Sequence, residues 1–375
     1  MARPPANLRR AGAAALFVLL AACAAAPVRA DEAAGLGPLR LFAVKDDFLS
    51  RKREVSRDLS GVACRPSQPG ATRRLCVVID DQSRFAQVAW LADDALEAGA
   101  KIPLIDAAQE EAALGAPPAK VSCPQQESRF EDLDGEGVAY DAPWFYIIGS
   151  HGCTRKKGEF SRSAFLTVRF RLDDEGRLVE GGGPAVEATY RLSDALAAAR
   201  MAQAHFAAPL AEAGLNIEGV AVRDGVLYAG ARAPSIDGKA LLIGVNIADL
   251  FAPGHERRPM QIVESALPLG EGVGVRDLAT LPDGRLLVLA GPEQEDCRTP
   301  FSLFVSDFPP SRGGTPNVQL IARLKDVPAG GDEFARAKAE AVLPLSILDG
   351  ELRALILFDG PKNGRPSEYR ASLPR

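Results

Sequence analysis

The stretch NIEGVAVRDGVLYAG, residues 216–230, contains the pattern that decides the fold. It opens with Glu218-Gly219-Val220-Ala221, turns at Asp224-Gly225 and continues into the apolar run Val226–Ala229. Asp-Gly between two apolar runs is a strong hairpin signal, because the turn needs residues that accept a positive φ. The stretch therefore predicts a β-hairpin whose second strand is buried on both faces.

The same pattern occurs five times along the chain, at spacings of 76, 82, 58 and 64 residues. Each copy has an opening motif, a turn signal and a strongly apolar second strand. A second, more amphipathic hairpin follows most openings, so that a unit holds four strands. The five opening residues are Ser60, Glu136, Glu218, Arg276 and Glu340.

Four strands per unit, repeated radially, is the pattern of a β-propeller. We predict an all-β propeller of five to six blades, because five units are visible and an irregular sixth stays open. A pair of β-sandwiches or an open β array is the alternative. Ser193–Phe206 predicts an inserted helix, since Ala and Leu dominate it without a breaker. Ser367–Leu373 and Leu39–Val44 are expected to close the ring with strands from both ends of the chain.

The first 30 residues predict a signal peptide, which leaves residues 31–375 as a single propeller-like domain. A basic start precedes the apolar run Ala11–Ala22, which is too short for a membrane anchor. Cleavage after Ala30 would leave a free periplasmic protein. Cleavage before Cys23, within a lipobox, would leave a lipoprotein tethered at that cysteine. No later segment approaches the ~18 uninterrupted apolar residues of a spanning helix.

The charge balance and the cysteines indicate which partners and which redox state to expect. Without residues 1–30 the chain carries 40 basic and 49 acidic residues, and this balance disfavours nucleic acid as a partner. Export permits disulfides, and we expect Cys64 to pair with Cys76 and Cys123 with Cys153, which leaves Cys297 over. Buried free thiols are the alternative. None of these cysteines has the C-x-x-C spacing of a metal site.

The repeat also predicts where a site would lie. The outer ends of a hairpin lie at one edge, and the first strand of a blade lines the channel, so these ends should converge at the channel mouth. Charges concentrated there should perturb each other's pKa, which is typical of functional sites. The candidate site residues are Glu136, Glu218, Glu340, Arg232, Arg276, Asp277, Lys338, His151 and Asp359.

Three functions fit such a cluster. In the first, Glu136, Glu218 and Glu340 act as base or hold a hard cation such as Ca²⁺. Arg232 and Arg276 then hold a phosphate ester or a lactone, which a metal-bound water attacks. In the second, the same groups bind a small anionic molecule or a cell-envelope partner without chemistry. In the third, they form structural ion pairs around the channel. The sequence leaves open whether the protein is an enzyme.

Several spaced motifs resemble the bacterial domain-of-unknown-function family thirty-six-sixteen. The resemblance covers about Ser60 to Pro361. It implies a propeller-like β fold and no established activity, so it assigns no catalytic residues. The matching segments are Asp134–Tyr140, Ile148–Gly152, Asn216–Ala221, Gly230–Pro234, Val275–Ala279 and Lys338–Val342.

The Glu-Gly-Val-Ala units are more loosely similar to those of phytase-like esterases and other six-bladed propellers. That similarity implies a cation at the channel mouth. Ser60 and Arg276 depart from it, because they stand where an acidic residue would be expected. Three glutamates with interposed bases suit ion pairing or an anionic ligand at least as well as a metal.

Overall fold

The computed structural model describes residues 35–118, 121–155, 158–181, 183–294, 299–307, 316–329 and 336–374. Before the first repeat lie two short strands, β1 (Arg40–Leu41) and β2 (Ala43–Lys45). The predicted signal peptide, Cys23 and Cys297 lie outside the described residues. Among the described residues, no helix is both long and apolar enough to cross a bilayer.

Blades I and II come next in the chain. Blade I holds β3 (Leu59–Cys64), β4 (Arg74–Asp80), β5 (Phe85–Leu91) and β6 (Ala95–Pro103). Helix α1 (Ala107–Ala112) and β7 (Gln125–Arg129) follow it. Blade II holds β8 (Gly135–Asp141), β9 (Trp144–Gly149), β11 (Thr167–Phe170) and β12 (Val186–Thr189). Strand β10 (Glu159–Ser161) leaves the blade to pair with β7.

Blades III to V follow after helix α2 (Arg191–Ala198). Blade III holds β13 (Asn216–Arg223), β14 (Val226–Ile236), β15 (Lys239–Asn246) and β16 (Ile262–Pro268), with the short helix α3 (Ile247–Leu250) before β16. Blade IV holds β17 (Val273–Thr280), β18 (Leu286–Pro292), β19 (Ser302–Ser306) and β20 (Val318–Arg323). Blade V holds β21 (Lys338–Leu348), β22 (Glu351–Asp359) and β23 (Ser367–Ser372).

The five sheets form a closed ring, so the propeller prediction is confirmed with five blades. The innermost strands contact one another in the cyclic order β3, β8, β13, β17, β21 and back to β3. Closure uses both ends of the described chain. Strand β1 pairs with β23 as the fourth strand of blade V, as predicted, whereas β2 adds a parallel fifth strand to blade I.

The hydrophobic core lies between blades. Five clusters of buried residues occur in the described chain, and each joins two neighbouring sheets. Val77 and Ile147, for example, meet between blades I and II. A middle strand therefore packs apolar side chains on both faces, which explains why β18 is buried along its whole length. Each blade needs both neighbouring blades to bury its two apolar faces, so all five blades are buried in this way only when the ring is closed.

The predicted hairpin turns are present, whereas the predicted helix differs in length. Asp224-Gly225 and Asp349-Gly350 form the predicted hairpin turns, with φ values of 51° and 75° in the first and 51° and 78° in the second. The predicted helix Ser193–Phe206 was wrong in extent, because α2 ends at Ala198. The carboxylate of Glu264 accepts the backbone N–H of Met201 at 2.8 Å, and the chain beyond Ala198 turns to pack Ala202 into the core instead of continuing the helix.

Both predicted disulfides are present. Cys64 and Cys76 face each other across the β3–β4 hairpin of blade I. Cys123 and Cys153 join the segment before β7 to the segment after β9. Disulfides persist in oxidising compartments, so this pair of bridges indicates an extracellular or periplasmic protein.

Candidate functional site

The five residues that open the repeated motif share one structural position. Each is the extra residue of a β-bulge in the innermost strand of its blade. In blade I, Leu59 pairs with Asp80 and Gly61 with Ile79, so that Ser60 has no partner of its own. A bulge bends the strand and redirects a side chain. We call the five bulged residues the bulge ring; in order around the channel they are Ser60, Glu136, Glu218, Arg276 and Glu340.

The glycine after three of these bulges is explained by close packing of the inner strands. A Cβ atom on Gly61 would lie 2.8 Å from the backbone nitrogen of Val138 in blade II. A Cβ atom on Gly137 would lie 2.9 Å from the carbonyl oxygen of Glu218 in blade III. Glycine at this position therefore serves the close packing of the inner strands in blades I, II and III.

The second residue after each bulge is apolar in every blade, and each is at most 2 % exposed. These residues pack into the clusters between neighbouring blades, and we call them the valine layer. Its members are Val62, Val138, Val220, Leu278 and Val342.

Arg276 is the centre of a buried ion-pair network at the mouth. Its Nη1 lies 2.9 Å from Oε2 of Glu218, and its Nη2 donates to Oε1 of Glu340. Arg232, at the end of the pairing with β13, donates from Nη1 to Oε1 of Glu218 at 2.8 Å. All four side chains are at most 8 % exposed. The network joins blades III, IV and V.

In this network, contacts between opposite charges offset the effect of burial on each charged group. Burial lowers the pKa of the Arg276 guanidinium, but the carboxylates of Glu218 and Glu340 outweigh burial and hold that pKa above its ordinary value. Burial raises the pKa of Glu218, while Arg276 and Arg232 oppose that rise. An isolated charge would be costly in this environment, so the paired state is what makes its burial tolerable.

The predicted metal set does not fit this arrangement. Two of its three glutamates, Glu218 and Glu340, already have their oxygens against the guanidinium of Arg276. In the part of the chain that the structure describes, no group of three or more His, Cys, Asp or Glu side chains is placed to hold a metal ion. Calcium needs six to eight oxygen ligands, which one remaining glutamate of the ring cannot supply.

Glu136 differs from the other charged members of the bulge ring. Its carboxylate makes no hydrogen bond or ion pair with a described residue. Burial raises its pKa well above the ordinary value, and Glu218, Asp134 and Asp81 add to the rise. Glu136 lies between Ser60 and Glu218 in the ring, and it therefore has no neighbouring arginine.

Further carboxylates surround Glu136 on blades I and II. The Oδ1 atom of Asp81 is buried without a hydrogen-bond partner, and burial together with Asp134 raises the pKa of Asp81 well above its usual range. Asp134 accepts a hydrogen bond from Ser150, yet burial still raises its pKa. Burial, helped by the charge of Asp359, raises the pKa of Asp58 to about 6. We call Asp58, Asp81, Asp134 and Glu136 the acidic sector.

The acidic sector continues into an open polar pocket of about 500 Å³ at Asp58. Arg51 and Asp132 contribute to its wall, and Arg51 Nη1 lies 3.7 Å from Oδ2 of Asp132. Burial raises the pKa of Asp132 to about 6, with a further contribution from Asp134. Mixed charges thus line the pocket, while carboxylates dominate at the channel.

Two of the predicted ligand-binding residues are placed elsewhere. Asp277 is 1 % exposed, and its carboxylate accepts the backbone N–H groups of Leu278 and Val342, both at 2.8 Å. Asp277 occupies the position after the bulge where blades I, II and III have glycine, and its bond to Val342 ties blade IV to blade V. His151 is fully buried against Phe165, and burial lowers its pKa to about 4. His151 is therefore a neutral imidazole in the core, whereas it was predicted to bind a ligand at the channel mouth.

The remaining predicted pair lies at the edge of the mouth. Lys338 Nζ is 2.9 Å from Oδ2 of Asp359, across the outer end of the β21–β22 hairpin.

Asp58 and Asp134 were missed by the sequence analysis. Each stands two residues before a bulge, in blades I and II respectively. An acid at that position in two consecutive repeats was the signal that could have identified them.

Comparisons with known proteins identify a family and distant structural relatives. The model of a family described as protein of unknown function (DUF3616) matches residues 85–172 and 184–372. No curated protein matches the chain. A crystal structure of a protein from Lactobacillus plantarum is 12 % identical, with 85 % of this chain and 72 % of that chain covered and a TM-score of 0.32. A glucose dehydrogenase structure is 14 % identical, with 86 % and 83 % covered and a TM-score of 0.34.

Proposed function

We propose that this chain, which belongs to the DUF3616 family of proteins of unknown function, is a non-catalytic binding protein. In this proposal the acidic sector holds the positively charged group of a small ligand, such as an amine. The observation that carries it is the unpartnered carboxylate of Glu136, which faces other carboxylates of raised pKa at the channel mouth. Functional sites are where groups of perturbed pKa gather.

A cationic ligand would relieve the repulsion that the acidic sector contains. Burial raises the pKa of each of these carboxylates, and neighbouring carboxylates add to the rise at Asp81 and Glu136, so the ionised forms are disfavoured in the free protein. An opposite charge within about 4–6 Å favours the ionised form and lowers that pKa. Ligand binding should therefore release protons.

The metal-assisted hydrolase and the binding of an anion are the weaker candidates. Both need free cationic side chains, and Arg232 and Arg276 already contact Glu218. An anion would have to displace a buried carboxylate from its guanidinium and leave that carboxylate unpaired, which costs several kcal/mol. The hydrolase needs a metal in addition, which the three glutamates do not accommodate.

The proposed location is the periplasm, and the two disulfides support it. A lipid anchor at Cys23 belongs to the same proposal, in which case the channel mouth would sample ligands near the envelope membrane.

Isothermal titration calorimetry tests the function directly. Spermidine, lysine methyl ester, choline and Ca²⁺ are titrated into the protein at pH 6 and pH 8, in buffers of different ionisation enthalpy to count released protons. We expect one organic cation to bind with proton release, and Glu136→Gln to weaken it at least tenfold. Glu351→Gln, a change of an exposed carboxylate on β22, is the matched control and should leave the affinity unchanged.

Two outcomes would overturn the proposal. Binding of Ca²⁺ with no binding of the amines would restore the metal hypothesis. Absence of binding by all four cations would remove the acidic sector from consideration as a ligand site.

A further inference from the structure

The opposite end of the channel holds a second cavity. Its volume is about 390 Å³, and the inner strands of all five blades line it. Small-molecule sites typically measure 300–1,000 Å³ and are mostly apolar, with a few placed polar groups. The lining has this character: Ala139, Val222, Leu281 and Leu343 are among its apolar members, and Arg74 lies at its edge.

We propose that this cavity, which we call the turn-face cavity, binds a small amphiphile whose apolar chain fills the channel and whose carboxylate contacts Arg74. The site is separate from the acidic sector, and it does not depend on the function proposed for the channel mouth. The five residues of the valine layer line the cavity, whereas no member of the bulge ring or of the acidic sector does.

The cavity opens on the face of the β3–β4 hairpin turn. Pro66 and Ser67, both exposed, form part of its rim, and Cys64 lies just inside. The Cys64–Cys76 disulfide fixes the hairpin at this point. An entering molecule would therefore meet a rim held by a covalent bridge, with an apolar wall beyond it.

Arg74 supplies the charge that selects the head group. Its Nε donates to the carbonyl oxygen of Arg65 at 2.9 Å, and its two terminal nitrogens make no hydrogen bond or ion pair with a described residue. Burial lowers the pKa of this guanidinium, and no neighbouring carboxylate opposes that effect. A half-buried guanidinium without a carboxylate gains most from a ligand carboxylate, which it can hold through two parallel hydrogen bonds.

The contrast with other arginines of the described chain supports this choice. Arg276, Arg232 and Arg353 all contact carboxylates of the protein itself. Arg73, the neighbour of Arg74 in sequence, lies with its guanidinium 4.0 Å from the centre of the Trp90 ring. Arg74 thus combines an apolar cavity with available donors, and this combination fits a fatty acid of medium length.

Binding of decanoate, decanol and decyltrimethylammonium, measured by calorimetry below their micelle concentrations, tests the proposal. We expect decanoate to bind with one-to-one stoichiometry and at least tenfold more tightly than decanol. Across hexanoate, octanoate and decanoate, affinity should rise about fourfold per methylene while the chain still enters the cavity. Equal or tighter binding of the quaternary ammonium would overturn the proposal, because it would exclude Arg74 as the selecting group.

Variants separate the cavity from any other surface. Arg74→Gln should weaken decanoate at least tenfold and leave decanol unchanged, whereas Arg73→Gln is the control and should alter neither. Ala279→Phe fills the cavity from its half-exposed wall and should abolish binding of both ligands. Glu136→Gln, at the channel mouth, should not affect decanoate. Decanoate binding that survives Ala279→Phe in a folded variant would place the ligand elsewhere and refute the assignment.

Discussion

Removal of the Arg276 side chain should destabilise the protein strongly. In an Arg276→Met variant, Glu340 loses the guanidinium that it contacts, while Glu218 keeps Arg232 at 2.8 Å. The variant therefore strands one buried carboxylate rather than two. Breaking a buried pair by removal of one partner costs about 3–5 kcal/mol, and we expect a loss of unfolding free energy in that range at pH 8.

The loss should depend on pH in a defined direction. Without Arg276, the pKa of the stranded carboxylate in the native state rises above the value of about 4.3 that a glutamate has in the unfolded chain. The native state then binds more protons than the unfolded state between these two values, so the stability of the variant falls as the pH rises through that window. Arg276→Met should consequently lie closer to the wild type at pH 4.5 than at pH 8.

Urea unfolding followed by circular dichroism at both pH values measures this effect. The control is Arg370→Met, whose ion pair with Glu351 spans 3.6 Å between side chains that are 47 % and 49 % exposed. Arg370 also lies 3.8 Å from Glu368, but that carboxylate keeps its closer partners Arg40 and Arg353, so a loss of about 1 kcal/mol or less is expected. Glu340→Gln added to Arg276→Met should recover about half of the loss, because it neutralises the stranded group. A loss in Arg276→Met no larger than in Arg370→Met, or a double variant less stable than Arg276→Met, would refute the account.

Three further predictions concern packing, covalent bridges and processing. Gly137→Ala should lower the free energy of unfolding, measured with urea, by about 1–3 kcal/mol, because its Cβ would lie 2.9 Å from the carbonyl oxygen of Glu218. Gly183→Ala, which has no atom within 4 Å of its Cβ, is the control and should leave that free energy unchanged. Equal effects of the two changes would contradict the close-packing argument. Replacement of either disulfide by two alanines should lower the free energy of unfolding by about 3 kcal/mol. The loss should be larger for Cys123–Cys153, which spans 30 residues, than for Cys64–Cys76, which spans 12. A larger loss for the shorter bridge would contradict the loop-closure explanation. Mass spectrometry of the protein exported by a bacterial host should find either a free N-terminus at Asp31 or a diacylglyceryl Cys23; an N-terminus that retains residues 1–22 would refute the predicted signal peptide.

The sequence was most informative where the backbone repeats. Turn signals and apolar second strands depend on local chemistry, and together they predicted the hairpins of all five blades. Blade number was left between five and six, because an irregular sixth blade would not need to carry the repeated motif. The closing strand from the other end of the chain, β1, was predicted. The length of α2 was overestimated, since the capture of the Met201 amide by Glu264 is a contact over 63 residues that helix propensity does not contain.

The sequence predicted the position of the candidate site and offered ion pairing around the channel as one alternative, but it did not predict which residues pair. The motif placed Glu218, Arg276 and Glu340 at one mouth, but which atoms would meet depends on the distance between neighbouring inner strands. That distance is set by Gly61, Gly137 and Gly219, where a side chain would collide with the next blade. Asp277 shows the limit most clearly, because it adjoins a ring position in sequence and yet turns to the backbone of blade V.

The order of residues around the bulge ring accounts for the asymmetry of the mouth. Each ring member stands between two others in the cycle, and direct ion pairs form where opposite charges are neighbours. Arg276 stands between Glu218 and Glu340 and neutralises that side. Glu136 stands between Ser60 and Glu218, where no cation is adjacent, and its charge is left to the acidic sector. With Arg276 and Ser60 exchanged, the arginine would stand between Glu340 and Glu136, while Glu218 would keep its contact with Arg232. The order of residues around the ring, more than its composition, therefore leaves Glu136 without a partner and creates the proposed binding site.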